Sequence, residues 1–261
     1  MKILKHTATI SFLVSALWSG NLFAQAPTPP PAFAAIDSYL CNFNDGKGMA
    51  DLNAVVAKWN KWMDKSKGVA YSAWVMVPVL TSVNMPIDVA WLGVWANGND
   101  MGKGMQAWAD ENGGLADEFD KVMTCSEHSS AASVNIRPPA EGWPGKSGLA
   151  LFSNCTVAEG KTVQDAMAAN RAWSANLDSI GSKAGVWAFF PGAGQNNPTW
   201  NYKLVYSYPD YLAYGADWEA YTNGQSWAKA QQIFGGTVSC DSQRLYQSVT
   251  VRDGGVGPVP K

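Results

Sequence analysis

Four cysteines set the frame of this chain. Cys41 and Cys125 stand 84 residues apart and Cys155 and Cys240 stand 85 apart, so one span is laid down twice. The matches continue around the first cysteine of each pair. Asp45-Gly46-Lys47 falls over Glu159-Gly160-Lys161, Asp51 over Asp165, Trp59 over Trp173 and Asp64 over Asp178, all at the offset that separates Cys41 from Cys155. Around the second cysteine, Ser133, Val134 and Arg137 fall over Ser248, Val249 and Arg252. Between these blocks Asp100 and Trp108 fall over Asp210 and Trp218, so the halves differ by short insertions of the kind that loops absorb. Duplication is the economical explanation.

Each half carries the same order of elements. A short strand ends at the first cysteine (36–43 and 149–157) and a helix follows. From Met49 to Asp64 the apolar residues Leu52, Val55, Val56, Trp59, Trp62 and Met63 recur at steps of three and four, which builds one buried helical face. Two strand-like runs come next, 71–80 with 88–96 and 185–190 with 202–208, each pair joined by a loop carrying Pro or Gly. A second helix is expected over 101–122 and 211–234, with Asp100 and Asp210 as N-caps. A closing strand, 130–137 or 245–252, completes each half.

The order β-α-β-β-α-β, twice, is that of two tandem ferredoxin-like units, an α+β fold. In such a unit the first and last strands are antiparallel neighbours, which puts the two cysteines of each half side by side. Of the three pairings open to four cysteines, this topology favours Cys41 with Cys125 and Cys155 with Cys240. Metal-bound thiolates are the poorer reading, because the chain has no CxxC pair and only one histidine beyond the leader.

The N-terminus reads as an export signal. Lys2 and Lys5 precede a mainly apolar stretch from Thr7 to Trp18, and Ala24-Gln25-Ala26 offers a small-residue cleavage site near Ala24 or Ala26. The expected organisation is a signal peptide at 1–26, a loose segment at 27–35, units at 36–137 and 149–252, a linker at 138–148 and a flexible tail at 253–261. The destination is then the periplasm or the medium. No later segment reaches the roughly 20 apolar residues of a membrane span. With 47% hydrophobic residues, 15% charged and a net charge of −2, the chain has ample core and no basic field for nucleic acid.

A lone ferredoxin-like sheet leaves one face bare, and a tandem pair covers both by packing sheet to sheet. In element order and duplication the chain resembles the dimeric α+β barrel superfamily, which includes antibiotic-biosynthesis and haem-degrading monooxygenases, EthD-like and NIPSNAP-like proteins and chlorite dismutases. The resemblance covers nearly all of the chain beyond the leader, without a diagnostic motif. It implies a gap between sheet and helices where relatives hold planar apolar ligands, and, for the cofactor-independent monooxygenases, Trp, Tyr and Asn around an oxidisable substrate. Asn60, Trp62 and Tyr71 are within reach of that role here.

Thirteen tryptophans make aromatic walls the strongest site signal, with core packing as the plainer reading of most of them. The candidate ligand-binding residues are those that differ between halves: Tyr71, Trp74, Trp91 and Trp95 in the first, and Trp187, Trp200, Tyr202 and Tyr206 in the second. On a strand they alternate faces, one set filling the barrel and the other lining the gap below the helices. No cofactor is expected. His128 has Gln243 as its counterpart and lies on the wrong element for a haem ligand, and no GxGxxG, Walker or zinc spacing occurs. The repeated Asp45-Gly46-Lys47 and Asp51 set reads best as helix-start electrostatics. Three functions follow: a binding or accessory module for a small aromatic or apolar ligand, a cofactor-independent monooxygenase or isomerase, and a structural or interaction protein.

Overall fold

The computed structural model describes residues 32–65, 69–82, 85–139, 145–195 and 198–257. The expected signal peptide therefore lies outside the described residues, as do parts of the linker and tail. In chain order the elements are β1 (Ala34–Phe43), α1 (Met49–Lys65), β2 (Tyr71–Leu80), β3 (Val89–Trp95), α2 (Gly98–Glu111), α3 (Leu115–Asp120), β4 (Met123–Arg137), β5 (Ser147–Val157), α4 (Val163–Ser179), β6 (Gly185–Pro191), β7 (Tyr202–Tyr208), α5 (Tyr211–Thr222), α6 (Ser226–Phe234), β8 (Val238–Cys240) and β9 (Arg244–Arg252).

Eight of the strands form a closed antiparallel barrel. The first half runs β4-β1-β3-β2 and the second β9-β5-β7-β6, and the edges meet where β2 pairs with β9 and β4 with β6. The halves are thus joined edge to edge by backbone hydrogen bonds as well as face to face. Closure leaves neither sheet with a bare edge. Short β8 extends the β9 side of β5 and carries Cys240 opposite Cys155, while Cys125 lies opposite Cys41; both pairs are disulfide-bonded.

Strand alternation sorts the side chains into three cores. Ile36, Trp74, Met76, Val94, Trp187 and Phe189 point into the barrel, drawn from both halves. Their alternates point outward beneath the helices. Leu52, Val55, Trp59 and Met63 of α1 pack over the first half of the sheet, and Met167, Trp173 and Leu177 of α4 over the second.

Two expectations about the second helices need correction. Each is broken into two. Asn112 ends α2, and Gly113 and Gly114 turn the chain at φ of 64° and 80°, a region that costs glycine little. Asn223 ends α5, and Gln225 takes φ 61° before α6. The cap of α2 is Asn97, whose side chain accepts from the Asp100 N–H, so Asp100 sits in the first turn; Asp210 does cap α5, accepting from Ala213 N–H.

The repeated polar residues have structural work. Lys47 and Asp51 form an exposed ion pair at 3.1 Å beside the turn at Gly46, away from the cavity described below. In the second half Asp165 instead closes a reciprocal cap with Thr162. Arg137 and Arg252, which match in the sequence, each reach the other half: Arg137 pairs with Asp178 at the end of α4 and Arg252 with Asp64 at the end of α1, both at 2.9 Å. Arg252 also donates to Asn60 Oδ1. These symmetric latches tie each closing strand to the opposite helix.

Candidate functional site

Between the first half of the sheet and its helices lies a cavity of about 1180 Å³. Drug-sized ligands occupy pockets of roughly 300–1,000 Å³, so the space is ample. Its floor is the outward face of β1, β2 and β3, and its walls are α1 and α2. Trp59 of α1 meets the edge of Trp91 at 5.0 Å, and Trp62 meets Trp108 of α2 at 5.4 Å. The Trp62 Nε1–H donates to the Glu111 carbonyl at 2.7 Å, which ties α1 to the end of α2.

At the floor stands a buried carboxylate. Asp37 is 8% exposed on β1, and its Oδ1 accepts a hydrogen bond of 3.0 Å from the Tyr71 O–H. The Tyr71 oxygen in turn accepts from Trp91 Nε1–H at 2.8 Å, giving a chain from indole through phenol to carboxylate. Burial raises the Asp37 pKa from 3.8 to about 6, against the lowering effect of the Tyr71 hydrogen bond. Burial and the Asp37 charge together push the Tyr71 phenol well above its ordinary value. Tyr39, two residues along the same face, is raised by the same two causes.

Two glycines make room for the side chains that line this space. Gly93 lies directly opposite Asp37 on β3, and a Cβ there would meet the Tyr71 oxygen at 1.7 Å and Asp37 Oδ1 at 2.1 Å. Gly104 of α2 lies against Trp95, whose ring a Cβ would meet at 2.1 Å. The second half lacks both. By strand register Leu151 and Tyr206 occupy the places of Asp37 and Gly93, since they face each other across β5 and β7. Counted from the caps Asn97 and Asp210, Gly104 has Asp217 as its counterpart, and Asp217 accepts a hydrogen bond of 3.0 Å from Tyr208, the counterpart of Trp95.

The eight aromatic residues singled out by sequence fall in four places. Tyr71, Trp91 and Trp95 line the cavity together. Trp74 and Trp187 point into the barrel, where the remaining space of about 40 Å³ is far too small for an organic ligand. Tyr202 and Tyr206 are buried under the second half's helices, Tyr202 accepting from Asn170 Nδ2 at 2.9 Å. Trp200 lies on a loop with the Lys203 ammonium 4.3 Å from its ring. Asn60 is committed elsewhere, donating to the Val251 carbonyl at 2.8 Å and holding Arg252. Asp37, Gly93 and Gly104 carried no signal in the sequence reading. The available clue was parity, because Asp37 shares a strand face with Tyr39 and Cys41.

His128 is at the rim, exposed, with its ring stacked flat on Tyr39 at 3.8 Å. It is the one histidine among the described residues, and the floor offers a carboxylate, a phenol and indoles. Among the described residues no group of three or more His, Cys, Asp or Glu is placed to hold a metal ion. No helix among them is long and apolar enough to cross a membrane.

No family model matches the chain, and no curated protein matches its sequence. Solved structures do match its fold. A proposed monooxygenase from Lactobacillus acidophilus is 11% identical with a TM-score of 0.51, covering 85% of this chain and 95% of its own. An anthrone oxidase-like protein is 12% identical with a TM-score of 0.52, covering 87% and 95%. A chlorite dismutase variant from Candidatus Nitrospira defluvii is 8% identical with a TM-score of 0.51, covering 84% and 92%. These neighbours are of the dimeric α+β barrel superfamily, and the likeness is one of fold.

Proposed function

We propose that this chain, folded as a dimeric α+β barrel within one polypeptide, is a fusion of two ferredoxin-like units, 36–137 and 149–252, whose first unit binds a planar aromatic or apolar small molecule. One observation carries this reading: between the sheet and helices of the first unit stands a cavity of about 1180 Å³ walled by aromatic rings, and where the second unit has Leu151 facing Tyr206 the first has Asp37 facing Gly93 on its floor. Large side chains would stabilise the first unit by burial, as they do the second, and leaving the space empty forgoes that. Tyr71, Trp91 and Trp95 are the ligand-facing residues in this proposal. Two disulfides fit an extracellular protein, and together with the leader reading they support a binding or accessory role in the periplasm or medium.

Anthrone, suggested by the name of one structural neighbour, is a suitable first probe because it is planar, tricyclic and uncharged. Titrated into the protein lacking residues 1–26, it is expected to quench tryptophan fluorescence saturably. Gly104→Tyr, which puts a ring against Trp95 in the cavity wall, should weaken binding at least about tenfold, whereas Tyr214→Gly, in the second unit, should leave it intact. Equal binding by Gly104→Tyr and the unaltered protein would count against this site.

A second reading, a cofactor-independent monooxygenase or isomerase, is favoured by the convergence of Asp37 and Tyr71 on the cavity floor. A carboxylate whose pKa is about 6 is suited to take a proton near neutral pH. Oxygen uptake in the same titration is the measurement that separates the two.

A further inference from the structure

The charge at the cavity floor has no counter-ion among the described residues. Asp37 is buried with a tyrosine hydroxyl as its side-chain partner, and it takes part in none of the ion pairs among the described residues. An ionised carboxylate so placed is costly unless a cation joins it. Directly above lie the rings of Trp59, Tyr71, Trp91 and Trp95, whose π faces are negative. The opening repeats the sign. Asp110, Glu111 and Asp120 line it against Lys65 and Lys103, and Lys103 is already paired with Asp100 at 3.2 Å.

Resting on the small-molecule reading above, we infer that the cavity selects a planar aromatic cation, a ring system carrying a quaternary or protonated nitrogen, with Asp37 as its counter-ion. The walls stack on the ring system and attract its charge, and the carboxylate fixes where the nitrogen lies. The second unit has Leu151 in place of Asp37, and its nearest analogue, Asp217 on α5, is half-buried and takes hydrogen bonds from Ser182 as well as Tyr208.

N-Methylquinolinium and 1-methylnaphthalene have nearly the same shape and differ in charge, so calorimetric titration of both isolates the inference. The unaltered protein should bind the cation at least about tenfold more tightly, a preference that cation–π attraction and charge pairing together can supply. Asp37→Asn, which keeps an acceptor for the Tyr71 O–H, should bring the two ligands to near parity while leaving 1-methylnaphthalene within about threefold. If both bind the unaltered protein equally, the cation inference is overturned and the small-molecule reading stands. If neither binds, both fall. Should Asp37→Asn fail to fold, the comparison in the unaltered protein alone decides.

Discussion

Replacing Cys41 and Cys125 together by alanine is expected to lower the unfolding free energy by about 4 kcal/mol. The bond closes a loop of 84 residues, and in the chain-entropy account a loop of that length restricts the unfolded ensemble by about this amount. The Cys155–Cys240 bond closes 85 residues and should be worth nearly the same. Domains of this kind are stable by only about 5–15 kcal/mol, so one removal should leave a folded but weakened protein and both should leave little folded population. The first bond also has a local role. It joins β1 to β4, and those strands present Asp37, Tyr39 and His128 to the cavity, so ligand affinity should fall with the first removal more than with the second. Urea unfolding of the two double variants checks this, and unchanged midpoints in both would contradict it.

Asp37→Asn should make the protein more stable at pH 7.5 and remove a slope in its pH dependence. The carboxyl binds its proton more tightly folded, at about 6, than at the ordinary value of 3.8. Between those values the native state holds more protons than the unfolded one, so stability falls as pH rises through this window and the loss is complete above it. A difference of that size corresponds to about 3 kcal/mol. The amide carries no charge to bury and still accepts from Tyr71, so the variant should gain up to about that amount at pH 7.5 and little at pH 3.5. Tyr71→Phe should act in the opposite direction by removing the hydrogen bond that partly offsets burial. A loss of stability for Asp37→Asn at pH 7.5 would show that the carboxylate is structural. A gain would mean that the fold tolerates an unfavourable charge at the one place where a ligand could use it.

Most of the architecture was legible because two independent signals agreed. Cysteine spacing marked the two matching halves, and alternation in strands and three- and four-residue steps in α1 placed most elements within a few residues, although β4 begins at Met123 and not at 130 and β8 was not expected. The breaks after Asn112 and Asn223 were obscured by apolar spacing that runs through them, although Gly113-Gly114 was a visible warning. Arg137 and Asp178 were matched to Arg252 and Asp64, yet a repeat aligned on itself shows equivalence and not contact, so the exchanged ion pairs appeared only in three dimensions. The candidate site divides in the same way. Parity separates Tyr71 from Trp74, but it cannot say which outward face is covered tightly and which stands open. That depends on how each set of helices sits over its sheet, and Gly93 and Gly104 matter there by making room for Tyr71 and Trp95. Asp37 was passed over because one acidic residue in an apolar strand has no pattern around it.

The central claim is that the first unit holds a ligand and the second does not. A crystal structure of the protein soaked with anthraquinone, a stable planar relative of the probe used above, tests this most directly. The account expects the ring system between Trp59, Trp91 and Trp95, above Asp37 and beneath Gly104, with the space under α5 filled by Tyr206 and Tyr214. A ligand bound under α5, or in the barrel beside Trp74 and Trp187 with the first unit's cavity collapsed, would contradict it.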